Sequence, residues 1–173
     1  MNKFTRICVW LSRITYSKGF GIQSPADYQF VRCVVNEHWP YYEYSQMDKQ
    51  HDWLSKKMGR LYLRLANWRQ PRVIVDQVGA ADYLKAGCRT ANIVSHTEDA
   101  VQMACVPIEA DHHNIIGRCT DGSVLVVQDI WKNKKKWQAI ENDNRTTICY
   151  NLYYCGIALF DSRRIKQSYI VNF

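Results

Sequence analysis

The chain has no apolar run approaching the ~18 residues that a membrane-spanning helix needs. Its basic start, "MNKFTRICVWLSR", carries the run "ICVWL", but Ser12 and Arg13 cut that run too short for a signal-peptide core. No export and no membrane span are therefore expected, and the location read from the sequence is cytoplasmic. Internal repeats, low-complexity tracts and linker-like stretches are lacking too. A single domain spanning 1–173 is the expectation, and a chain of 173 residues is long enough for one core. No G-x-x-x-x-G-K-[ST] phosphate loop and no G-x-S-x-G elbow occur, which removes the best-marked nucleotide-binding and hydrolase chemistries. The seven cysteines are odd in number and lack paired short spacings. They read as buried or free thiols in a reducing compartment. None sits beside a histidine in a way that marks an activated thiolate.

What is present is an ordinary globular composition, 47% hydrophobic and 23% charged, with a formal charge of +7 from 23 Lys+Arg against 16 Asp+Glu. That excess favours anionic partners without naming one. Its sharpest concentration is "WKNKKKW", in which Lys132, Lys134, Lys135 and Lys136 lie between Trp131 and Trp137. The pattern fits a nucleic-acid contact. The plainer and preferred reading is a solvated helix face whose tryptophans point into a core.

Two grammars divide the chain. Up to residue 70 it reads as a helical N-terminal segment. In "GIQSPADYQFVRCVVNEH", Ser24 can cap, Pro25 suits the first helical position and Asp27 the third, followed by Tyr28, Val31 and Val35 at helical spacing. A second helix is expected from Gln46 to Trp68, with Leu54, Met58, Leu61 and Leu65 on its inner face, ending before Pro71. From 71 to 173 short β-branched runs alternate with short helical ones. "RVIVDQV", "TANIVS", "VQMACVPIE" and "SVLVVQDI" read as strands, and "KNKKKWQAIEN" as a helix. The C-terminal stretch is richest in β-branched and aromatic residues, with a turn at Asp161–Arg164 between its last two strands. The expected class is α/β: a mostly parallel sheet with an antiparallel strand pair near the C-terminus.

In such sheets ligands sit beyond the carboxyl ends of the strands. Three strands end in polar clusters: Asp76-Gln77-Val78-Gly79, Glu109-Ala110-Asp111-His112-His113, and Gln128-Asp129. Converging on one crevice, they would suit a small polar ligand, with Gly79 letting backbone approach and carboxylates gripping hydroxyls or a metal. Each has a plainer reading. A glycine after a strand makes a turn, and Asp129 can cap the next helix. The spacing of Cys105, His112, His113 and Cys119 matches no short-loop zinc pattern.

The ordered set of segments resembles a family. "GFGIQSPADYQFV" looks like the "GIHSPF"-type signature of a group of bacterial class I S-adenosylmethionine-dependent methyltransferases. "LANWRQPRVIVDQVGAAD" resembles that group's entry into the first strand and its cofactor loop, "PIEADHH" its segment after the fourth strand, and "VLVVQDI" its fifth. "NLYYCGIALFDSRRIKQSYIVNF" is similar to its closing hairpin. The resemblance implies a Rossmann-like core and S-adenosylmethionine as cofactor, held near Asp76, Gln77, Gly79 and Glu98. It also implies a catalytic role for Asp129 and His112, and places Glu109 and Asp129 where metal-dependent relatives carry a divalent cation. The departures point the other way. The strand-end acid falls on Gln77, Tyr83 replaces the loop's last glycine, and a neutral amide, Gln128, weakens a hard-cation site. About fifteen residues separate Gly87 from Met103. A strand–helix–strand crossover alone needs ~30, so an α/β unit is expected to be missing and the sheet to be truncated. The function read from the sequence is therefore methyltransferase-like with reduced or lost activity. The alternative is a non-catalytic module that binds itself or a protein partner, with nucleic acid as a third class of partner.

Overall fold

Ser24 caps the first buried helix as its spacing predicts. The structure, a computed structural model, describes residues 3–48 and 52–173. A surface helix, α1 (Lys3–Ser12), precedes α2 (Pro25–Phe30), where Ser24 Oγ accepts from the Asp27 N–H at 3.4 Å. From α2 the chain widens into a π-helical turn, Val31–Val35. Such a turn leaves carbonyls without a partner in the helix. The buried Arg64 takes two of them, donating from Nε to Val34 O at 2.6 Å and from Nη2 to Val35 O at 2.8 Å.

The long helix expected from Gln46 is two helices, α3 (Tyr44–Met47) and α4 (Trp53–Arg69), and residues 49–51 of that expectation lie outside the described ones. The physical reason is a cap that the apolar count overlooks. Asp52 has an extended backbone, and its carboxylate accepts from the N–H groups of Leu54 and Ser55 at 2.7 and 3.2 Å. At the other end Gln70 turns left-handed, φ +48, immediately before Pro71.

After Pro71 the chain is α/β. It runs β1 (Val73–Asp76), α5 (Ala81–Gly87), β2 (Asn92–Val94), β3 (Val101–Pro107), α6 (His112–Arg118), β4 (Cys119–Gln128), α7 (Lys134–Asn142), β5 (Ile148–Asn151), β6 (Cys155–Leu159) and β7 (Gln167–Ile170). The sheet has seven strands in the order β2-β1-β3-β4-β6-β5-β7. It is parallel except where β6 runs antiparallel to both β4 and β5. The antiparallel C-terminal pair is thus β5–β6, joined through Leu152–Tyr154. The closing-hairpin expectation is corrected here. β7 does not fold back on β6 but crosses to the far side of β5 and pairs with it in parallel, Tyr150 opposite Tyr169. The expected truncation is local. The sheet is not short of strands, but on one side it stops at the three-residue β2, and only residues 95–100 lead from there to β3.

Both faces of the central strands β1, β3, β4 and β6 are covered, which is why these read as apolar runs, whereas the edge strands β2 and β7 hold no buried residue. Ile74, Met103, Val124 and Val126 pack with α2, α4 and α5 on one face, while Val75, Ala104, Leu125 and Val127 pack with Ile116, Trp137 and Ile140 on the other. α4 and α5 approach very closely, because Gly87 lies against the Leu63 carbonyl and Gly59 against the Tyr83 ring.

Candidate functional site

The connection after β1 leads to β2 on one side of it, and the connection after β3 leads to β4 on the other. The chain direction therefore switches between β1 and β3, and the crevice beyond their carboxyl ends is where an open α/β sheet places a ligand. Asp76 ends β1, level with Cys105 of β3. Its carboxylate is turned onto its own loop, Oδ1 accepting from the Val78 N–H at 3.0 Å and Oδ2 from the Ala80 N–H at 2.8 Å. This ties the loop at the start of α5, a helix with no side-chain cap at Ala80. Gly79 takes φ +72, which only glycine adopts without strain, and a Cβ there would meet nothing within 4 Å. The exposed Gln77 donates from Nε2 to Ser95 O at 3.3 Å, bridging this loop to the one after β2.

Glu98 lies in that second loop and is exposed. It is paired with Arg118 at 2.7 Å and with His96 at 2.6 Å, and these two contacts hold its carboxyl below the usual range. Arg118 also donates to Thr97 O, so the loop is fastened to the end of α6. Beside it lies a groove of about 230 Å³ lined by Gln77, His96, Thr97, Asp111, Asn114 and Arg118, among others. Tyr83 does not crowd this region. Its ring is buried against Gly59, and its hydroxyl donates to Asp48 at 2.8 Å.

At the end of β4, Gln128 accepts from the Tyr62 hydroxyl of α4 at 2.7 Å. Burial raises that phenol far above its ordinary pKa, so it stays protonated and a donor. Asp129 follows in a left-handed conformation, φ +64, which costs a non-glycine residue of order 1–2 kcal/mol. Its carboxylate accepts from Lys132 Nζ at 2.6 Å and Trp131 Nε1 at 3.3 Å. It stands at the N-cap position of the 3-10 turn Ile130–Lys132, but its side chain makes no cap bond there, and α7 is capped by Asn133. Glu109 is exposed, and its carbonyl, with that of Ala110, is bound by Lys136. His112 is buried at the start of α6. Pro107 O lies 3.1 Å from Nε2, which makes Nε2 the protonated nitrogen and leaves Nδ1 enclosed without a partner. Burial, and then Lys136, push its pKa down. Among the described residues no group of three or more His, Cys, Asp or Glu stands close enough to hold a metal ion.

The structure thus gathers Asp76, Gln77, Gly79 and Glu98 around two adjoining loops. Glu109 and Asp129 end neighbouring strands, while His112 is withdrawn into the protein. Of the four clustered lysines, Lys132 and Lys136 are bound to groups of the chain, Trp137 is buried, and Trp131 stacks on Tyr153 with ring planes 6° apart. The lysines at 134 and 135 remain exposed. Sequence reasoning missed Lys57. Its ammonium lies 4.1 Å over the Phe173 ring, and burial, with Arg64, lowers its pKa to about 8. It sits on α4 beside the apolar stripe, with no local signal to single it out. Compared with protein-family models, with characterised proteins and with solved structures, the chain matches none.

Proposed function

We propose that the chain is a methyltransferase-like protein with a Rossmann-like sheet whose cofactor crevice no longer serves turnover, and that it acts as a binding scaffold. The observation that carries this reading is the state of the polar groups at the crevice. Both Asp76 oxygens are engaged by backbone N–H groups, Glu98 by Arg118 and His96, Asp129 by Lys132 and Trp131, and Gln128 by Tyr62. Each of these oxygens already serves a partner of the chain, so a ligand would meet acceptors that are shared rather than aimed at it.

S-adenosylmethionine does not fit the residues present. Recognition of its ribose and amino-acid ends calls for acceptors aimed at the ligand, whereas Asp76 is capped by backbone N–H groups and Glu98 and Asp129 are paired with cations. The groove beside the β2–β3 loop, at about 230 Å³, is smaller than the ~300 Å³ at which ligand pockets begin. The six-residue link 95–100 supplies no further strand to wall it. The scaffold reading draws also on the sheet, whose switch point and strand-end loops persist although their chemistry is spent; fold by itself does not establish activity.

Calorimetric titration with S-adenosylhomocysteine, beside a Gly79→Trp variant, tests the reading. No saturable heat is expected up to ~1 mM ligand, the weak limit of specific binding. A saturable isotherm that Gly79→Trp abolishes would reinstate the crevice as a working cofactor site and overturn the proposal.

A further inference from the structure

We propose that the cavity between α7 and the loops after β4 and β5 binds a pyrimidine nucleotide, the base set beside Trp131 and Tyr153 and the phosphate held outside by Lys134. The cavity measures about 110 Å³ and opens to solvent on one side. A closed apolar cavity of ~150 Å³ holds a benzene ring, so only a single six-membered ring can enter this one, and no fused pair. It lies at the carboxyl ends of β4 and β5, the side of the sheet where ligands are found. Its two rings are carried on strained backbone. Asp129, φ +64, and Tyr153, φ +73, both adopt the left-handed conformation that side chains disfavour. The Asp129 N–H ties the two loops together, donating to Tyr154 O at 2.7 Å. Asp129 accepts from Trp131 Nε1 at 3.3 Å, and Asn151 Oδ1 accepts from the Tyr153 N–H at 3.1 Å and from Arg13 at 2.7 Å. Strain enforced by its surroundings on both sides of a cavity is characteristic of ligand clamps.

The chemistry of the occupant follows from the groups that line the cavity. Trp131 is 37% exposed, and its ring centroid lies 6.3 Å from that of Tyr153, near the far end of the ~4.5–7 Å over which rings interact. Each ring therefore leaves part of its face for a flat partner. The indole N–H of Trp137, a residue 2% exposed, is enclosed and has no acceptor in hydrogen-bond geometry. Glu141, one turn along α7, lies near enough for that indole to favour its ionised form, though burial raises its pKa overall. Gln138 completes the wall, its amide without a partner among the described residues. A donor beside acceptors matches the ring carbonyl and adjoining N–H of a pyrimidine edge. Lys134 opens α7, whose first turn holds no acid, and its ammonium too has no partner among the described residues. An anion is favoured there by that charge and by the positive end of the helix. Arg13, 5.4 Å over the Tyr153 ring, adds a second positive charge and disfavours a cationic ring. A nucleotide supplies the flat ring, the mixed edge and the anion in one molecule. The two tryptophans of "WKNKKKW" thus part company, Trp137 serving the core and Trp131 the site.

The site shares only Asp129 with the cofactor crevice, and a blank titration with S-adenosylhomocysteine leaves it standing. Calorimetric titration of the full chain with uridine 5′-monophosphate is expected to give saturable binding with a Kd on the order of 100 µM. Trp131→Ala should weaken it by about tenfold and Trp131→Phe much less, both with an unchanged thermal midpoint. Lys134→Ala should weaken the monophosphate and leave the weaker binding of uridine as it was. An oligouridylate of about eight nucleotides separates the two sources of this chemistry. Binding about tenfold tighter than the monophosphate, lost steeply with salt and weakened by Lys135→Ala, marks a base within a single strand. No gain over the monophosphate marks a free nucleotide. Three outcomes overturn the proposal: no saturable binding up to ~10 mM monophosphate; binding indifferent to Trp131→Ala or to Lys134→Ala; or adenosine 5′-monophosphate or benzoate bound as well as the uridine nucleotide.

Discussion

Asp27 is 1% exposed and carries its charge into the interior. Burial alone would raise its pKa, but Arg164 at 2.6 Å and the Tyr150 hydroxyl at 2.7 Å overcome that and hold it below 3.8. A carboxyl depressed in this way contributes stability above its unfolded pKa, and that contribution is lost as pH falls through the lower folded value. Removing the arginine reverses the sign, because the burial penalty then acts unopposed and the folded pKa rises. Arg164→Met is expected to cost about 3 kcal/mol at pH 7, the low end for a broken buried pair because the guanidinium is itself 30% exposed. The cost should shrink towards pH 4, where Asp27 can protonate; urea melts at the two pH values check it. Only half of this site was legible in the sequence. Ser24, Pro25 and Asp27 announce a helix start because capping is local. The partner of Asp27 lies 137 residues away, and no spacing rule reaches it. The same division holds at the crevice. Position after a strand puts Asp76, Gln77 and Gly79 at the end of β1 and in the loop that follows it, as the structure has them. That Asp129 would turn left-handed and pair with Lys132 is decided by loop conformation, which carries no periodic signal.

Among the elements, α4 and α5 are set at a distance that glycine permits. A Cβ on Gly87 would lie 2.2 Å from the Leu63 carbonyl oxygen, a backbone atom that cannot swing aside. Gly87→Ala is therefore expected to destabilise by about 2–3 kcal/mol through overpacking, although alanine is the better helix former. Gly117→Ala, where the nearest atom is the flexible end of Arg145 at 3.4 Å, should be nearly neutral in the same chemical melt. β1, β3 and β4 could be read from the sequence because burial on both faces leaves a continuous apolar run. α6 was harder: its seven residues "HHNIIGR" offer two apolar positions, too few to establish a period. The placing of β7 went astray for another reason. Neighbouring strands usually pair, and a turn at Asp161–Arg164 suggests a hairpin. Here β6 already has β4 and β5 on its two edges, so the last strand had to go to the free edge of β5.

For the whole molecule, that last strand joins the two ends of the chain. Arg13 donates to Asn151 O and Val171 O, the Asn172 side chain donates to Trp10 O, and Asp27 receives Arg164 and Tyr169. Deleting 161–173 should strip β5 of its β7 neighbour and leave Asp27 buried without its cation. The shortened chain is expected to lose cooperative thermal unfolding and its near-ultraviolet circular dichroism while keeping helical signal. A sharp transition like that of the full chain would refute this. The arrangement also bears on synthesis. The helical N-terminal segment is made first, yet its buried acid finds its cation only when the final strand has been translated. Until then α2 holds a carboxylate that water must solvate, and β5 presents an open edge. Residues 161–170 must therefore have left the ribosome before Asp27 can gain its cation and β5 its second neighbour.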